Sequence, residues 1–419
     1  MRNYYSIPFV PGTRKLTLEI LNNHSAFRAP KIKYVRIWVK EIEYINEWIT
    51  VRIRIEDEEP ELVYLKVTES ALLVSCSVDT DQSYLSRSAY FALKTMVDRY
   101  DGFDFEYHYW PDFINTDTGL SKFLVVKKMQ GRVVVYLKAR YHGFYKPGHD
   151  LPLLLAENDQ PRRNEATVTE DNISVEELVV GYCLADTQAR GWSTNHWPFL
   201  IPYTAALDKN KTAVKSFKSF VTNGGTLFLP DLDPESEVLN DICFEMRKIA
   251  LMDHISLYPQ PHLWILKDQI DGAHFKMMFS LWQEALPILT GRLYLHYYFT
   301  YGMKNIKGKP RKRDLQPCQI RNEVPELCFV WKEFDEYYKI ELRFKLGKKI
   351  CVPSEVYPTT FFANTADDPG TLYLLNSVTD CQVMNFFQKT GYRLLIMKPH
   401  LKGQCKEFID QLRIRYKFV

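Results

Sequence analysis

The chain has 419 residues, 46% of them hydrophobic and 14% aromatic, which suffices for two or three packed domains and excludes disorder as the dominant state. Fifty-four Lys and Arg against 51 Asp and Glu leave a net charge of +3, so a nucleic-acid surface has to be local rather than a property of the whole chain. No window approaches the roughly 20 apolar residues of a membrane span, and MRNYYSIPFVPGTRK lacks a signal peptide's apolar core, so a cytoplasmic protein without membrane contact is expected.

Tyr34 to Val39, Ile49 to Ile55 and Leu62 to Val67 alternate β-branched or aromatic residues with charges, the period of half-buried strands. A further apolar run, Ala71 to Ser75, precedes a helical pattern from Leu85 to Tyr100, in which Leu85, Ala89, Ala92, Leu93, Met96 and Val97 share one face. Residues 122 to 141 read as a hairpin about Gln130-Gly131, its second strand basic at alternate positions. The Pro-containing, polar stretch 146 to 172 reads as a linker, which places a first domain at 1–160. Residues 161–290 are helical in tendency, at Val175 to Thr187, in the apolar run up to 221, at Ser236 to His254 and at Phe275 to Leu289. From 291 to 419, strand patterns at Arg292–Phe299, Leu327–Lys332, Tyr337–Lys345, Lys349–Val352, Gly370–Leu375 and Arg393–Lys398 mix with helical ones at Thr379–Thr390 and Lys402–Tyr416. The fold class expected is therefore α+β and multidomain: a strand-rich N-terminal domain, a mainly helical middle region and a mixed C-terminal domain.

Eight cysteines stand at 76, 183, 243, 318, 328, 351, 381 and 405 with no C-x-x-C pair, which points to buried reduced thiols rather than a disulfide scaffold or zinc ribbon. Within VYLKVTESALLVSCSVDTDQSYLSRSAYFALKTMV, residues 63–97, strand residues Leu72, Leu73 and Val74 precede Cys76, and Tyr90, Phe91, Leu93 and Met96 follow as a helix face. This segment resembles a SWIM module, in which a hairpin ending in C-x-C and a helix opening with C-x-H share one tetrahedral zinc. Cys76 occupies the first ligand place, while Val78, Ser86 and Ser88 stand at the other three. One thiol cannot hold a structural zinc, so a degenerate, metal-free module and no cofactor are expected. SWIM modules occur beside SNF2-type ATPases, notably bacterial ones, and LCFVWKEFDEYYKIELRFKLGKKI is similar in pattern to the paired strands that precede their motor. The resemblance implies an accessory half whose partners are DNA or a separately encoded protein such as an ATPase. No Gly-x-x-x-x-Gly-Lys-Ser/Thr phosphate loop occurs, so ATP hydrolysis is not expected.

Lys304, Lys307, Lys309, Arg311, Lys312 and Arg313 place six cations in ten residues of a loop opened by Gly308 and Pro310, which suits phosphate contact. Tyr294, Tyr297, Tyr298 and Tyr301 nearby offer stacking surfaces for single strands. Segment 101–117 supplies Asp101, Asp104, Glu106, His108 and Asp112, and a metal-dependent nuclease or other hydrolase of a defence or mobile-element system would need carboxylates that converge there. WSTNHW, residues 192 to 197, places His196 between aromatics. No G-x-S-x-G, H-E-x-x-H or G-x-G-x-x-G pattern is present, so the leading expectation is a non-catalytic binding protein and the hydrolase is the alternative.

Overall fold

The computed structural model describes residues 3–24, 36–78, 83–98, 102–115, 117–152, 154, 179–188, 197–222, 233–256, 272–355 and 360–419. The fold is α+β, and the chain divides into two compact units. The first comprises 1–151, 333–339 and 394–407; the second comprises 152–332, 340–393 and 408–419, so the chain enters each unit more than once.

In the first unit, β1 (Tyr5–Pro8), β3 (Ile37–Ile45), β4 (Trp48–Ile55), β5 (Glu61–Val67) and β6 (Ala71–Cys76) make an antiparallel sheet in the order β1-β6-β5-β4-β3. The period-two pattern explains it: Val51, Ile53 and Ile55 of β4 are buried while Arg52 and Arg54 face water. Helix α2 (Arg87–Val97) packs on this sheet through Ala89, Ala92, Leu93 and Met96. Short strands β2 (Lys15–Leu16) and β7 (Phe103–Asp104) pair beside it, and helix α1 (Leu18–Asn23) starts at Thr17, whose side chain accepts from Ile20 N–H. β8 (Leu124–Met129) and β9 (Arg132–Leu137) form the expected hairpin, and the positive φ of Gln130 (48°) and Gly131 (80°) gives it the two-residue turn that matches strand twist. Phe113, Phe123 and Phe144 meet edge to face within the same core.

The second unit contains a mixed sheet in which β12 (Val214–Phe220), β11 (Phe199–Leu207), β10 (Val179–Gln188), β13 (Leu295–Tyr301) and β14 (Leu315–Pro317) lie side by side. β10 and β13 are parallel; the other pairs are antiparallel. Helices α3 (Pro234–Ser256) and α4 (Gly272–Leu289) lie in sequence between β12 and β13, pack on each other, and α3 covers β11. The middle region is thus less helical than the sequence implies, because the stretches read as helices at 175–187 and up to 221 contain β10, β11 and β12. Strands Gln319–Arg321, Thr371–Leu374 and Phe362–Ala363 make a small sheet, and Glu326–Glu333 and Tyr337–Leu346 belong to another. Helices α5 (Val378–Lys389) and α6 (Gly403–Arg415) follow, with Phe329 fully buried against Phe387 and Tyr416. All eight cysteines are buried and free, as their spacing implies.

Candidate nucleic-acid interface

Gly302, with φ +76°, turns the chain out of β13 into a 3-10 turn, Met303–Asn305. From there the loop is anchored at short intervals. Met303, Ile306 and Leu315 are buried, the Thr187 hydroxyl reaches Met303 Sδ at 3.6 Å, and the Phe220 N–H donates to Gly308 O at 2.8 Å. Asn305 Nδ2 donates to Thr300 Oγ1 at 3.2 Å and also to the Tyr301 carbonyl. A second 3-10 turn, Lys312–Asp314, packs against β13 and delivers the chain to β14. Between the anchors, Lys304, Lys307, Lys309, Arg311, Lys312 and Arg313 are all exposed. Of these six, Arg313 has a carboxylate partner, Asp314 at 3.5 Å, and among the described residues the other five have none. A backbone held this firmly has already lost much of the freedom that an unanchored loop would surrender on binding.

Two further cations join this surface. In the β11–β12 ladder Phe220 pairs with Tyr203 and Ser219 with Thr204, but Phe217 then pairs with Ala205, and Val214 with Leu207 after Ser216 with Ala206. The residues left over are Lys218 and Lys215, each the extra residue of a bulge on an edge strand, and both are exposed. Because Phe220 is bonded to Gly308, the Lys218 end of β12 runs beside the basic loop. The sequence conceals these lysines, because the bulges space buried Val214, Phe217 and Phe220 by three and so imitate a helix face.

The four tyrosines separate into different roles. Tyr294 donates its hydroxyl to the Lys211 carbonyl at 2.6 Å, Tyr298 is buried against Phe220, and Tyr297 is buried with its hydroxyl on Asp186 Oδ2 at 2.8 Å. Burial raises the Asp186 carboxyl to about 6 although the Tyr297 bond opposes the rise. Only Tyr301 offers an open ring, and it is accompanied by Phe299, which sequence reading passed over; the two rings stand edge to face at 5.4 Å.

The positions compared with SWIM zinc ligands do unrelated work. Cys76 is buried at the end of β6, with Sγ 3.7 Å from Glu61 Oε2, and Val78 is exposed. Ser86 caps α2, its Oγ accepting from the Ala89 N–H at 3.2 Å, and Ser88 is buried in the first turn. Replacing Ser86 by Ala should cost about 1 kcal/mol of first-unit stability, the usual value of an N-cap, readable as a shift in the urea midpoint. An unchanged midpoint would mean that packing by Leu85 and Leu93 alone fixes the helix start.

Among the described residues, segment 101–117 does not bring its acids together at one metal-holding point. Asp101 lies outside the described residues. Glu106 and His108 sit on a 3-10 turn, and Asp104 Oδ1 accepts the Glu106 N–H. The Glu106 carboxylate receives Arg14 Nη1 at 2.6 Å, Lys146 Nζ at 2.6 Å and His149 Nε2 at 2.7 Å. Burial alone would raise its pKa, but the bonds from His149 and Lys146 and the charges of Lys146 and Arg14 outweigh it and hold the carboxyl at about 2. His108 is buried with Nε2 2.9 Å from the Val133 carbonyl, and burial lowers its pKa; Asp112 Oδ2 faces His400 Nε2 at 3.1 Å. Among the described residues no group of three or more His, Cys, Asp or Glu side chains is placed to hold a metal ion. His196 is outside the described residues, while Trp197 stacks edge to face on Phe275.

The fold and this surface describe an α+β protein of two units carrying an anchored, cationic loop on a mixed sheet. Set against known proteins, the chain matches no family model, no curated protein and no solved structure. No helix among the described residues is long and apolar enough to cross a membrane.

Proposed function

We propose that this chain is a non-catalytic accessory protein that binds nucleic acid through the 304–313 loop, and that it is related to the N-terminal part of SNF2-type proteins and acts beside a separately encoded ATPase. The observation that carries the binding reading is the combination of five exposed cations that have no carboxylate partner among the described residues with a backbone anchored at Met303, Ile306, Gly308 and Leu315. Phosphates meeting such a loop release counterions without an added cost of ordering the loop, and no base-specific contact is needed. The relation to SNF2-type proteins rests on the 63–97 pattern, whose hairpin β5–β6 and helix α2 stand in the order that a SWIM module uses.

Fluorescence anisotropy across a salt series tests it. Wild type should bind oligonucleotides with an affinity that falls steeply with salt, and combined Arg311→Ala, Lys312→Ala and Arg313→Ala should lower the log–log salt slope by about two to three. No binding at low salt, or a triple variant identical to wild type, rejects the reading. Magnesium- or manganese-dependent cleavage that disappears in Asp104→Ala would replace it with the hydrolase.

A further inference from the structure

The β8–β9 hairpin of the first unit has one side closed and one side open. Met129 and Arg132 flank its two-residue turn, so they exchange both ladder bonds, and bonded and non-bonded pairs alternate from there. Lys128–Val133 and Val126–Val135 are therefore non-bonded pairs, whose N–H and C=O groups point away from the hairpin. On the β9 side the outward groups of Val133 are filled by side chains: the Val133 N–H donates to Glu41 Oε2 at 2.7 Å, and its carbonyl is 2.9 Å from His108 Nε2. Glu41 and His108, both about 5% exposed, thus stand where a neighbouring strand would. On the β8 side no such closure exists. Among the described residues nothing bonds the outward backbone groups of Val126 or Lys128, and residues 126 to 129 are exposed throughout.

The side chains of this edge specify what suits it. Val126 shares a face with Val133 and Val135, which are 1% and 0% exposed, yet Val126 itself is 45% exposed, so the apolar layer stops one strand short of covering it. On the other face Lys127 lies over the exposed ring of Tyr136 at 5.5 Å, with Met129 open beside it. Residues 118–149 contain seven Lys and Arg and no Asp or Glu, and among the described residues neither Lys127 nor Lys128 has an acidic partner.

From these observations we infer that β8 is a docking edge for an extended acidic segment of a partner protein, which adds as a further strand, sets an apolar side chain against Val126 and directs carboxylates at Lys127 on the opposite face. The main chain supplies the register and the charge complementarity supplies the selection. Exposed Val126 and Met129 favour a peptide over nucleic acid, whose phosphates gain nothing from them. Lysines on an edge also deter self-pairing, and a surface built only for that purpose would bind no peptide.

The test uses the full chain and a fluorescent peptide, acetyl-Asp-Val-Glu-Val-Asp-Val-Glu-amide, with a version carrying Lys at every acidic position. Wild type should bind the acidic peptide and not the basic one, and hydrogen exchange at the Val126 and Lys128 amides should slow when it is bound. Val126→Pro removes an outward N–H without breaking a β8–β9 ladder bond, so binding should weaken about tenfold or more while the fold survives. Should that variant fail to fold, Lys127→Glu with Lys128→Glu should produce the same loss. Absence of acidic-peptide binding at millimolar concentration, unchanged exchange at the two amides, or loss of oligonucleotide binding in place of peptide binding in these variants would each overturn the inference.

Discussion

Replacing Glu106 by Gln should destabilise the first unit by about 3–5 kcal/mol, the penalty for leaving buried charges without their counterion. Arg14 and Lys146 have side chains only 6% and 9% exposed, and both lie on the Glu106 carboxylate. The same three residues join distant parts of the chain: Arg14 Nη2 also donates to the Pro147 carbonyl at 2.9 Å, and Lys146 Nζ donates to the Glu106 carbonyl at 2.9 Å. Arg14 lies 3.8 Å over the Tyr109 ring and Lys146 4.1 Å from that of Trp110, so neither cation has water to retreat into. The pH dependence has a definite sign. The folded carboxyl titrates at about 2 and an ordinary one at 4.5, so the ionised form stabilises the fold fully above 4.5 and loses that contribution as pH falls toward 2. The Gln variant lacks this titration. Urea unfolding at neutral pH and at about pH 3 should therefore show a gap between wild type and variant that narrows on acidification. A gap of the same size at both pH values would mean that packing, not charge, makes the site matter.

The first unit was legible because its strands are solvated on one face. β4 and β5 alternate Arg52, Arg54 and Lys66 with Val51, Ile53 and Leu65, and the period of two places them to within a residue or two of the expected bounds. Helix α2 and the Gln130-Gly131 hairpin declared themselves as clearly. The second unit's central strands hid themselves for the opposite reason. Cys183, Leu184 and Ala185 of β10 and Phe199, Leu200 and Ile201 of β11 are consecutive buried residues, and a strand covered on both faces has no alternation to distinguish it from a buried helix. In β12 the two bulges added a false period of three. The basic loop was legible as charge, but its anchoring was not, since the partners of Met303 and Gly308 are Thr187 and Phe220, far away in sequence. Charge also misled at 101–117. Carboxylates close in sequence suggested convergence, whereas Glu106 and Asp112 answer to Arg14, Lys146 and His400, which no local pattern could nominate.

Gly181→Ala should be among the most damaging single-methyl changes in the second unit. Gly181 faces Tyr203 across the β10–β11 ladder, and a Cβ placed there would stand 2.3 Å from the Tyr203 Cζ and hydroxyl and 2.7 Å from the Tyr294 carbonyl. The ring cannot swing clear. It is fully buried, its hydroxyl donates to the Tyr294 carbonyl at 3.0 Å and lies 2.9 Å from His296 Nδ1, and Phe217 packs on it at 5.0 Å. Burial lowers the His296 pKa to about 4, so a neutral imidazole rather than a cation completes the group. Overpacking of about 1–3 kcal/mol and a displaced buried hydroxyl of similar cost sum to about 2–6 kcal/mol. The double-mutant cycle with Tyr203→Leu isolates the cause: the shorter side chain vacates the space, so Gly181→Ala should cost far less in that background, with a coupling of about 2 kcal/mol or more. Additive losses would place the strain on the strand's backbone instead. Because β10 is the strand from which Thr187 anchors Met303, oligonucleotide affinity should fall with stability in Gly181→Ala, and the further loss on adding Gly181→Ala should be much smaller in the Tyr203→Leu background.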